Sequence, residues 1–161
     1  MVRLVPMTEE EFEAFMLVSM RDQAQGQVQP GAWRAEKADR TIERMRSQML
    51  PDGLATPGHS FFTLEAAGTG AKVGGLWYVV EEEDGKRQIF VMDIQVHDEH
   101  RRHGYGSQAF MAMEDNARTM GTTRVALHVF EHNRSARAMY AKLGYVGTGT
   151  MMAKEIGEQA G

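Results

Sequence analysis

Apolar and polar side chains alternate in several short segments of the chain, and this period of two predicts β-strands. The clearest of these segments is 87–96, where alternate residues fall on two faces. One face carries Phe90, Met92, Ile94 and Val96, and the other carries Val91, Asp93 and Gln95. The same pattern predicts strands at residues 2–5, 60–65, 72–80, 125–130 and 145–154. Turns rich in glycine or acidic residues separate the segments between 60 and 96, which favours an antiparallel meander there.

Apolar residues at helical spacing predict helices between these strands. Thr8 followed by Glu11 forms a capping box, so the first helix is expected to begin directly after Thr8 and to fade near residue 25. Further helices are predicted at residues 36–50, 104–120 and 135–143, with Ser135 as the candidate N-cap of the last and Gly121 as a C-cap glycine. The C-terminal half therefore alternates strand and helix, which predicts an α/β or α+β domain with a mixed sheet.

Composition agrees with a globular domain and removes several classes of chemistry. The chain has 161 residues, of which 42% are hydrophobic and 25% charged, and its lack of cysteine excludes disulfides, thiolate nucleophiles and cysteine-type zinc sites. Its formal net charge of −4 argues against broad nucleic-acid binding and mildly favours cationic partners such as amines. The lack of a long apolar run and of a leader-like N-terminus argues against membrane binding and favours a cytoplasmic location.

The segment 101–107 has the character of an anion-binding site. It follows a strand and leads into a helix, whose first-turn N–H groups and positive dipole end can surround a phosphate. Gly104 and Gly106 remove Cβ atoms that would hold phosphates away. Positive charge is added by Arg101, Arg102 and His103. The alternative interpretation is an ordinary strand-to-helix turn with solvated arginines.

Two common nucleotide-binding motifs do not fit this segment. It lacks both the Gly-Lys-Ser/Thr ending of a P-loop and the three-glycine dinucleotide fingerprint. His97, His100 and His103 lie along an irregular bend, which is not a metal-ligand spacing, so no metal site is predicted. The sequence therefore predicts an anion site of another kind.

Residues 96–106 resemble the acetyl-CoA signature of the GNAT superfamily of N-acetyltransferases, which reads Gln/Arg-x-x-Gly-x-Gly/Ala after a strand. The three defining positions are held by Arg101, Gly104 and Gly106. Residues 132–145 resemble the later motif of the family, in which an asparagine precedes a short helix. The matching residues there are Asn133, Ala138, Tyr140, Gly144 and Tyr145. With two motifs in the correct order, the chain is identified as a member of the superfamily, and the resemblance covers residues 60–154.

The resemblance implies a single domain over residues 1–161, with a mixed, mostly antiparallel sheet of about seven strands and about four helices. Residues 1–59 would form the acceptor side, and residues 60–154 would form the sheet core with the acetyl-CoA site. The sheet would splay between the strands 88–96 and 125–130, and the cosubstrate would lie in the gap.

The resemblance also implies which residues hold acetyl-CoA, and it implies no metal. The pantetheine arm would pair, as an added strand does, with the backbone of Ile94, Gln95 and Val96. The pyrophosphate would lie next to Arg101 and be held by the amides of Arg102, His103, Gly104, Tyr105, Gly106 and Ser107. Asn133 would bind the pantetheine end or help to orient the acyl group.

The implied reaction is direct attack of a neutral amine on the thioester, because the composition excludes a cysteine intermediate. Tyr140 would be the general acid that protonates the leaving thiolate, and a backbone N–H near Ile94 would stabilise the oxyanion. Some family members carry a glutamate on the first motif strand, at the position of Phe90 here, so the general base stays open. Asp93, which strand alternation places on the face opposite Phe90, is one candidate. His128, where another subgroup has glutamate, is the second, and deprotonation in solvent is the third option.

Two other classes of function compete with amine acetylation. One is a non-catalytic regulatory module that binds acyl-CoA, and the presence of Asn133 and Tyr140 favours the enzyme over it. The other is a nucleic-acid-binding domain that uses the cationic helix end, which the net acidity opposes. The superfamily often dimerises, which allows a homodimer. Peptide N-termini, lysines, polyamines, aminoglycosides and amino acids all stay open as acceptors.

Overall fold

The computed structural model describes residues 1–28, 43–44, 46–150, 152–154 and 156–157 of the chain. These residues fall into two compact units, Met1–Phe130 and Glu131–Gly161. Of the predicted second helix, residues 43, 44 and 46–49 are helical, and residues 36–42 and 45 lie outside the described residues.

The first unit is built on one five-stranded sheet. Its strands are β1 (Val2–Pro6), β2 (His59–Ala66), β3 (Lys72–Glu83), β4 (Lys86–Val96) and β5 (Arg124–Leu127). They lie in sequence order, and neighbours pair antiparallel except for β4 and β5, which run parallel. The predicted mixed, mostly antiparallel sheet is therefore confirmed, with five strands among the described residues where about seven were expected.

The predicted strand at 145–154 is not formed by the described residues of this segment, which are neither strand nor helix. Gly147 and Gly149 interrupt the segment, and the side chains of Val146 and Met152 are exposed, at 81% and 87%. A segment with few side chains to bury on either face lacks the packing that stabilises a strand.

Helix α1 (Glu9–Val28) begins with the predicted capping box. The Glu11 N–H donates to Thr8 Oγ1 at 3.1 Å, and the Thr8 N–H donates to Glu11 Oε1 at 2.9 Å. Lys72 Nζ lies 2.6 Å from Glu11 Oε2, and this hydrogen bond and the Thr8 amide lower the pKa of Glu11 from 4.5 to about 2. The carboxylate therefore stabilises the fold fully above pH 4.5, and this contribution is lost as the pH falls towards 2.

Removal of the Thr8 hydroxyl should weaken the start of α1. We expect Thr8→Ala to lower the free energy of unfolding by about 1 kcal/mol, because substitution of an N-cap by alanine costs about 0.5–2 kcal/mol. Urea denaturation followed by circular dichroism measures the change. Thr123→Ala alters another exposed threonine, outside any helix, and should stay within about 0.5 kcal/mol of the parent. Equal losses of unfolding free energy in the two variants would contradict the role of Thr8 as the N-cap.

α1 packs on one face of the sheet through a core of buried apolar side chains. Its members are Met7, Phe12, Phe15, Met16, Leu50, Phe61 and Trp77. The rings of Phe12 and Phe61 meet edge to face at 4.8 Å, and Phe61 stacks on Trp77 at 5.2 Å. Gly75 on β3 admits this packing, since a Cβ there would lie 2.6 Å from Phe15 Cδ1. The helix therefore lies close against the middle of the sheet.

Helix α2 (Tyr105–Thr119) begins within the 101–107 segment, close to the predicted 104–120, and contacts β1 and β4. Its buried side chains are Ala109, Phe110, Met113 and Ala117. Gly121 follows the helix with φ of 76°, the left-handed conformation expected of a C-cap glycine. The apolar side of α2 thus fixes the helix, while residues 101–104 before it are exposed.

The second unit contains helix α3 (Arg134–Lys142). Its N-cap is Asn133 rather than the predicted Ser135, because Asn133 Oδ1 accepts the Ala136 N–H at 3.3 Å. Asparagine and serine are equally good N-caps, so residue preference does not distinguish them. The helix begins at Arg134, which makes the preceding Asn133 the N-cap. Gly144 follows the helix with φ of 95°, in agreement with the predicted end.

Candidate functional site

β4 parts from β5 partway along its length. Their parallel pairing ends where Val91 lies opposite Leu127, and β5 ends there too, short of the predicted strand 125–130. Among the described residues of the first unit, β4 continues to Val96 against β3 alone. The predicted splay between 88–96 and the next strand is therefore confirmed. It leaves one edge of β4 open beyond Val91, which is called the open edge from here on.

A β-bulge lies at the start of the open edge. The register between β3 and β4 passes from Val91 directly to Asp93, so Met92 is the extra residue. Because an inserted residue shifts the alternation of side chains, Phe90, Asp93 and Gln95 lie on one face of the sheet. The prediction that Asp93 lies opposite Phe90 is therefore wrong, and both side chains are on the α1 face.

The open edge presents the backbone groups of Ile94 and Val96. His97 N–H donates to Val73 O on β3 at 2.8 Å, and backbone groups alternate in direction along a strand. The backbone of Gln95 therefore also faces β3, whereas that of Ile94 and of Val96 faces away from β3. Gln95 meets α1 through its side chain instead.

A short bend joins the open edge to the N-terminus of α2. Arg101 folds back over this bend, with its Nε–H donating to Val96 O at 3.1 Å and its Nη2 lying 3.2 Å from Asp98 Oδ1. Arg102 and Gly104 adopt left-handed φ values of 67° and 77°. Gly104 takes this conformation without the strain that a side chain would add, and the chain then enters the helix directly.

The first turn of α2 presents backbone donors to solvent. The bond from Gln108 N–H to Gly104 O, at 3.0 Å, is the first of the helix. Earlier amides in an α-helix have no acceptor within it, and here they belong to Tyr105, Gly106 and Ser107. The ring of His103 stacks on Tyr105 at 5.6 Å, and the side chains of Arg101 and Arg102 are exposed beside the turn. Free amides, the helix dipole and two guanidinium groups form a cradle that fits an anion such as pyrophosphate.

Asp93 lies beneath α1 in the open half of β4. Burial raises the pKa of its carboxyl, and the Asp22 carboxylate acts in the same direction, while hydrogen bonding from Gln95 opposes the rise. Gln95 Nε2 donates to Asp93 Oδ2 at 2.9 Å and to Phe15 O at 3.1 Å. The buried Ser19 hydroxyl lies near enough to Asp93 to lower the pKa of the carboxyl, although it makes no hydrogen bond of standard geometry.

Sequence reasoning missed the α1 side of this site. Ser19 continues the buried face that Phe12 and Phe15 begin, and a small polar residue on an apolar helical stripe is the signal that could have identified it. Asp22 lies one turn further on, where burial raises the pKa of its carboxyl and Arg101 lowers it. α1 therefore brings both polar side chains to the neighbourhood of Asp93.

The other candidate base has different surroundings. His128 lies just beyond β5 and is exposed, with its ring edge-on to Phe130 at 5.2 Å between centroids. Asp93, in contrast, is mostly enclosed between β4 and α1. The two candidates thus differ in access to water.

The remaining predicted site residues belong to the second unit. The N-cap bond engages Asn133 Oδ1, so Nδ2 is the group of this side chain that can donate to a ligand. Tyr140 lies on α3, and its ring meets that of Tyr145 at 6.1 Å and 64°. Tyr145 N–H also donates to Tyr140 O at 3.0 Å, so the turn after α3 holds these two tyrosines together.

A polar pair lies inside the aromatic core and was not predicted from the sequence. Trp77 Nε1–H donates to His59 Nδ1 at 3.0 Å, which places the remaining ring hydrogen of the neutral histidine on Nε2. Burial lowers the pKa of His59. Protonation at Nδ1 would also break the bond from Trp77, so the fold favours the neutral ring.

The stability of the protein should therefore decrease in mild acid through His59. Its pKa is lowered in the fold, so the unfolded chain binds a proton first, and stability is lost as the pH falls below about 6.5. Urea unfolding between about pH 8 and about pH 5.5 measures this slope. His59→Asn keeps an acceptor for Trp77 without titrating, and we expect its slope to be shallower. Parallel slopes for the two proteins would contradict the assignment.

Among the described residues, no three histidine or carboxylate side chains are grouped as metal ligands, and His97, His100 and His103 form no such group. No helix within the same residues has the length and apolar character that a membrane span requires.

A family model, related sequences and solved structures all indicate that this chain is similar to acetyltransferases. The sequence model of the acetyltransferase (GNAT) family matches residues 20–145. Two Bacillus subtilis proteins, each described as an uncharacterized N-acetyltransferase, are similar along nearly their whole lengths. YycN is 33% identical over 155 residues, covering 96% of this chain and 99% of YycN, and YdgE is 31% identical over 153 residues, covering 95% and 97%. The crystal structure of YycN superposes with a TM-score of 0.90 over 98% of this chain and 100% of YycN. A GCN5-related N-acetyltransferase from Ralstonia eutropha, 20% identical, shares the fold at a TM-score of 0.68 over 98% and 100% of the two chains.

Proposed function

The chain belongs to the acetyltransferase (GNAT) family and is an N-acetyltransferase, and from this premise we propose that it transfers the acetyl group of acetyl-CoA to a primary amine by direct attack on the thioester. The observation that carries the proposal is the path from the open edge of β4, through one short bend, to the exposed N-terminus of α2. This path offers strand-like backbone groups to an amide-containing arm and free amides to a pyrophosphate.

In the proposed complex, the pantetheine arm of acetyl-CoA pairs with the open edge. Its amides match the spacing of a strand, and the backbone groups of Ile94 and Val96 are the ones that face it. The pyrophosphate lies against the first-turn amides of α2, with Arg101 and Arg102 as counter-charges. Asn133 Nδ2 donates to the pantetheine end. The backbone of Gln95 faces β3 and therefore does not pair with the arm.

The proposed chemistry is a single acyl transfer with no enzyme-bound intermediate. The lone pair of the neutral amine attacks the thioester carbonyl carbon, and the Ile94 N–H stabilises the oxyanion that develops. The carbon–sulfur bond then breaks, and Tyr140 donates its hydroxyl proton to the departing thiolate. The new amide nitrogen releases one proton to a base. Atoms and charge balance without any metal or redox partner.

Asp93 is the base that this proposal favours. An enclosed carboxyl with a raised pKa is a stronger proton acceptor than an exposed one, and catalytic carboxylates are commonly tuned in this direction. The bulge at Met92 also brings Asp93 to the same face as Phe90, the position at which some members of the family carry glutamate. His128 is the second candidate, and its exposure leaves it open to exchange with solvent.

The proposal is tested by binding and turnover measured on the same protein. Calorimetric titration with CoA should show one site, and an amine panel with acetyl-CoA should release free thiol for at least one amine. The protein contains no cysteine, so the thiol reagent reports only CoA. Binding without thiol release from any amine would favour a non-catalytic acyl-CoA-binding module. Failure to bind CoA would overturn the proposal.

Three further expectations stay predictions. They are homodimerisation, the division into an acceptor side at residues 1–59 and a sheet core at 60–154, and a cytoplasmic location.

A further inference from the structure

We propose that Gln95 is a positioning residue that holds the Asp93 carboxylate for proton abstraction and fastens it to α1. This role rests on the proposed amine acetylation and on Asp93 being its base. Gln95 itself needs no contact with either substrate. It acts through the orientation and the proton affinity of Asp93.

The orientation of the Gln95 amide is determined by its neighbours. Nε2 lies 2.9 Å from Asp93 Oδ2 and 3.1 Å from Phe15 O. A carboxylate and a main-chain carbonyl are both acceptors, so the amino end of the amide must face them, and each of its two hydrogens has one partner. Both donors of the side chain are thereby used, one on the sheet and one on the helix.

The close approach of α1 to the sheet allows Gln95 to donate both hydrogen bonds. Gly75 on β3 pairs with Gln95 and carries no side chain, and a Cβ on it would lie 2.6 Å from Phe15 Cδ1 and 2.9 Å from Met7 Cε. The ring of Phe15 occupies that space, and the Phe15 carbonyl comes within reach of Gln95. Gly75 thus leaves space for α1 to approach the sheet, and Gln95, opposite it on β4, binds the backbone of α1.

The groups around Asp93 explain why a donor matters there. From α1 it is faced by the buried Ser19 hydroxyl and by Asp22, whose own charge is countered by Arg101. On β4 it is flanked by the Ile94 amide and by Gln95, and its partner on β3 is Trp77, which does not titrate. Among the described residues, Gln95 is thus the side-chain donor that binds the carboxylate with standard geometry, and this bond favours the ionised form that accepts a proton.

Gln95→Met tests the role because methionine fills a similar volume and donates no hydrogen bond. We expect the pKa of Asp93, followed by carboxyl-carbon NMR without substrates, to rise. The acid limb of kcat/KM should move upward with it by about one pH unit, which is a tenfold loss of activity on that limb. Gln95→Glu keeps the shape of the side chain and replaces a donor with a carboxylate, so it should shift both readouts in the same direction. Gln88→Met changes another glutamine of β4, bound to Glu81 and Arg124, and should leave both unchanged.

The two readouts separate the possible failures. An unchanged Asp93 pKa in both Gln95 variants would overturn the proposal whether or not the protein acetylates amines. A raised pKa with an unmoved acid limb would overturn the catalytic role of the pair and leave acetyl transfer intact. If the parent protein released no thiol with any amine, the proposed function would fail, and the NMR arm would still test the effect of Gln95 on the pKa of Asp93.

Discussion

Tyr140→Phe is expected to reduce kcat for amine acetylation by about 10²- to 10⁴-fold, the range in which general acid catalysis contributes. The substitution removes only the phenolic oxygen, so the leaving thiolate must depart without a proton from the enzyme. Affinity for CoA should stay within about twofold, because the cradle at the start of α2 and the open edge of β4 are unchanged. Steady-state kinetics with the best amine of the panel, together with calorimetry, separates the two effects.

Tyr145 supplies a matched control for this change. It lies in the same unit, and its ring meets that of Tyr140 at 6.1 Å. Tyr145→Phe removes the same atom from a neighbouring ring, and we expect kcat to fall by less than about threefold. Equal turnover in Tyr140→Phe and the parent would remove Tyr140 from the mechanism. A large loss in Tyr145→Phe alone would transfer the acid role to Tyr145.

The features that could be predicted from the sequence are those that depend on neighbours in the chain. The capping box at Thr8 and Glu11 and the left-handed glycine at 121 are local arrangements, and both are present. The parting of β4 from β5 was also predicted, through the resemblance of the motif that follows β4. Each of these signals needs only a few adjacent residues to be recognised.

The arrangement around Asp93 could not be predicted because it depends on long-range contacts. Gln95 and Phe15 are 80 positions apart in sequence, and nothing near either residue indicates the other. The bulge at Met92 depends on the register of β3 against β4, so simple alternation assigned Asp93 to the wrong face relative to Phe90. A single inserted residue thereby changes which side chains share a face, and it brings Asp93 to the face of Phe90.

The lack of a strand among the described residues of 145–154 has a related explanation. The alternating pattern of this segment is real, but a strand forms where both a pairing partner and a surface to cover are present. Glycines at 147 and 149 take away side chains that would cover such a surface. Pattern alone therefore overestimated the number of strands in the sheet.

Gly104→Val is expected to weaken CoA binding by about 100-fold, which corresponds to about 2.7 kcal/mol. Gly104 has φ of 77°, a conformation that costs a residue with a side chain about 1–2 kcal/mol and a β-branched one more. A valine there relieves the strain by turning the backbone, and the first-turn amides of α2 turn with it. Each hydrogen bond from such an amide to a phosphate contributes about 1.5–3 kcal/mol, so misalignment of one or two accounts for the loss.

Gly121→Val distinguishes the loss of the cradle from the loss of the fold. Gly121 terminates the same helix with φ of 76°, and a Cβ there would meet nothing within 4 Å, whereas a Cβ on Gly104 would meet Gln108 Nε2 at 3.6 Å, an ordinary contact. The two valines therefore impose similar backbone strain, and thermal denaturation should show similar losses of stability. Only the change at Gly104 should reduce CoA affinity in calorimetry. If both variants lost affinity equally, strain in α2 as a whole would account for the effect, and the cradle at 104 would lose its special role. A loss of affinity at Gly104 alone would place the pyrophosphate at that end of α2, where the first-turn amides have no acceptor within the helix.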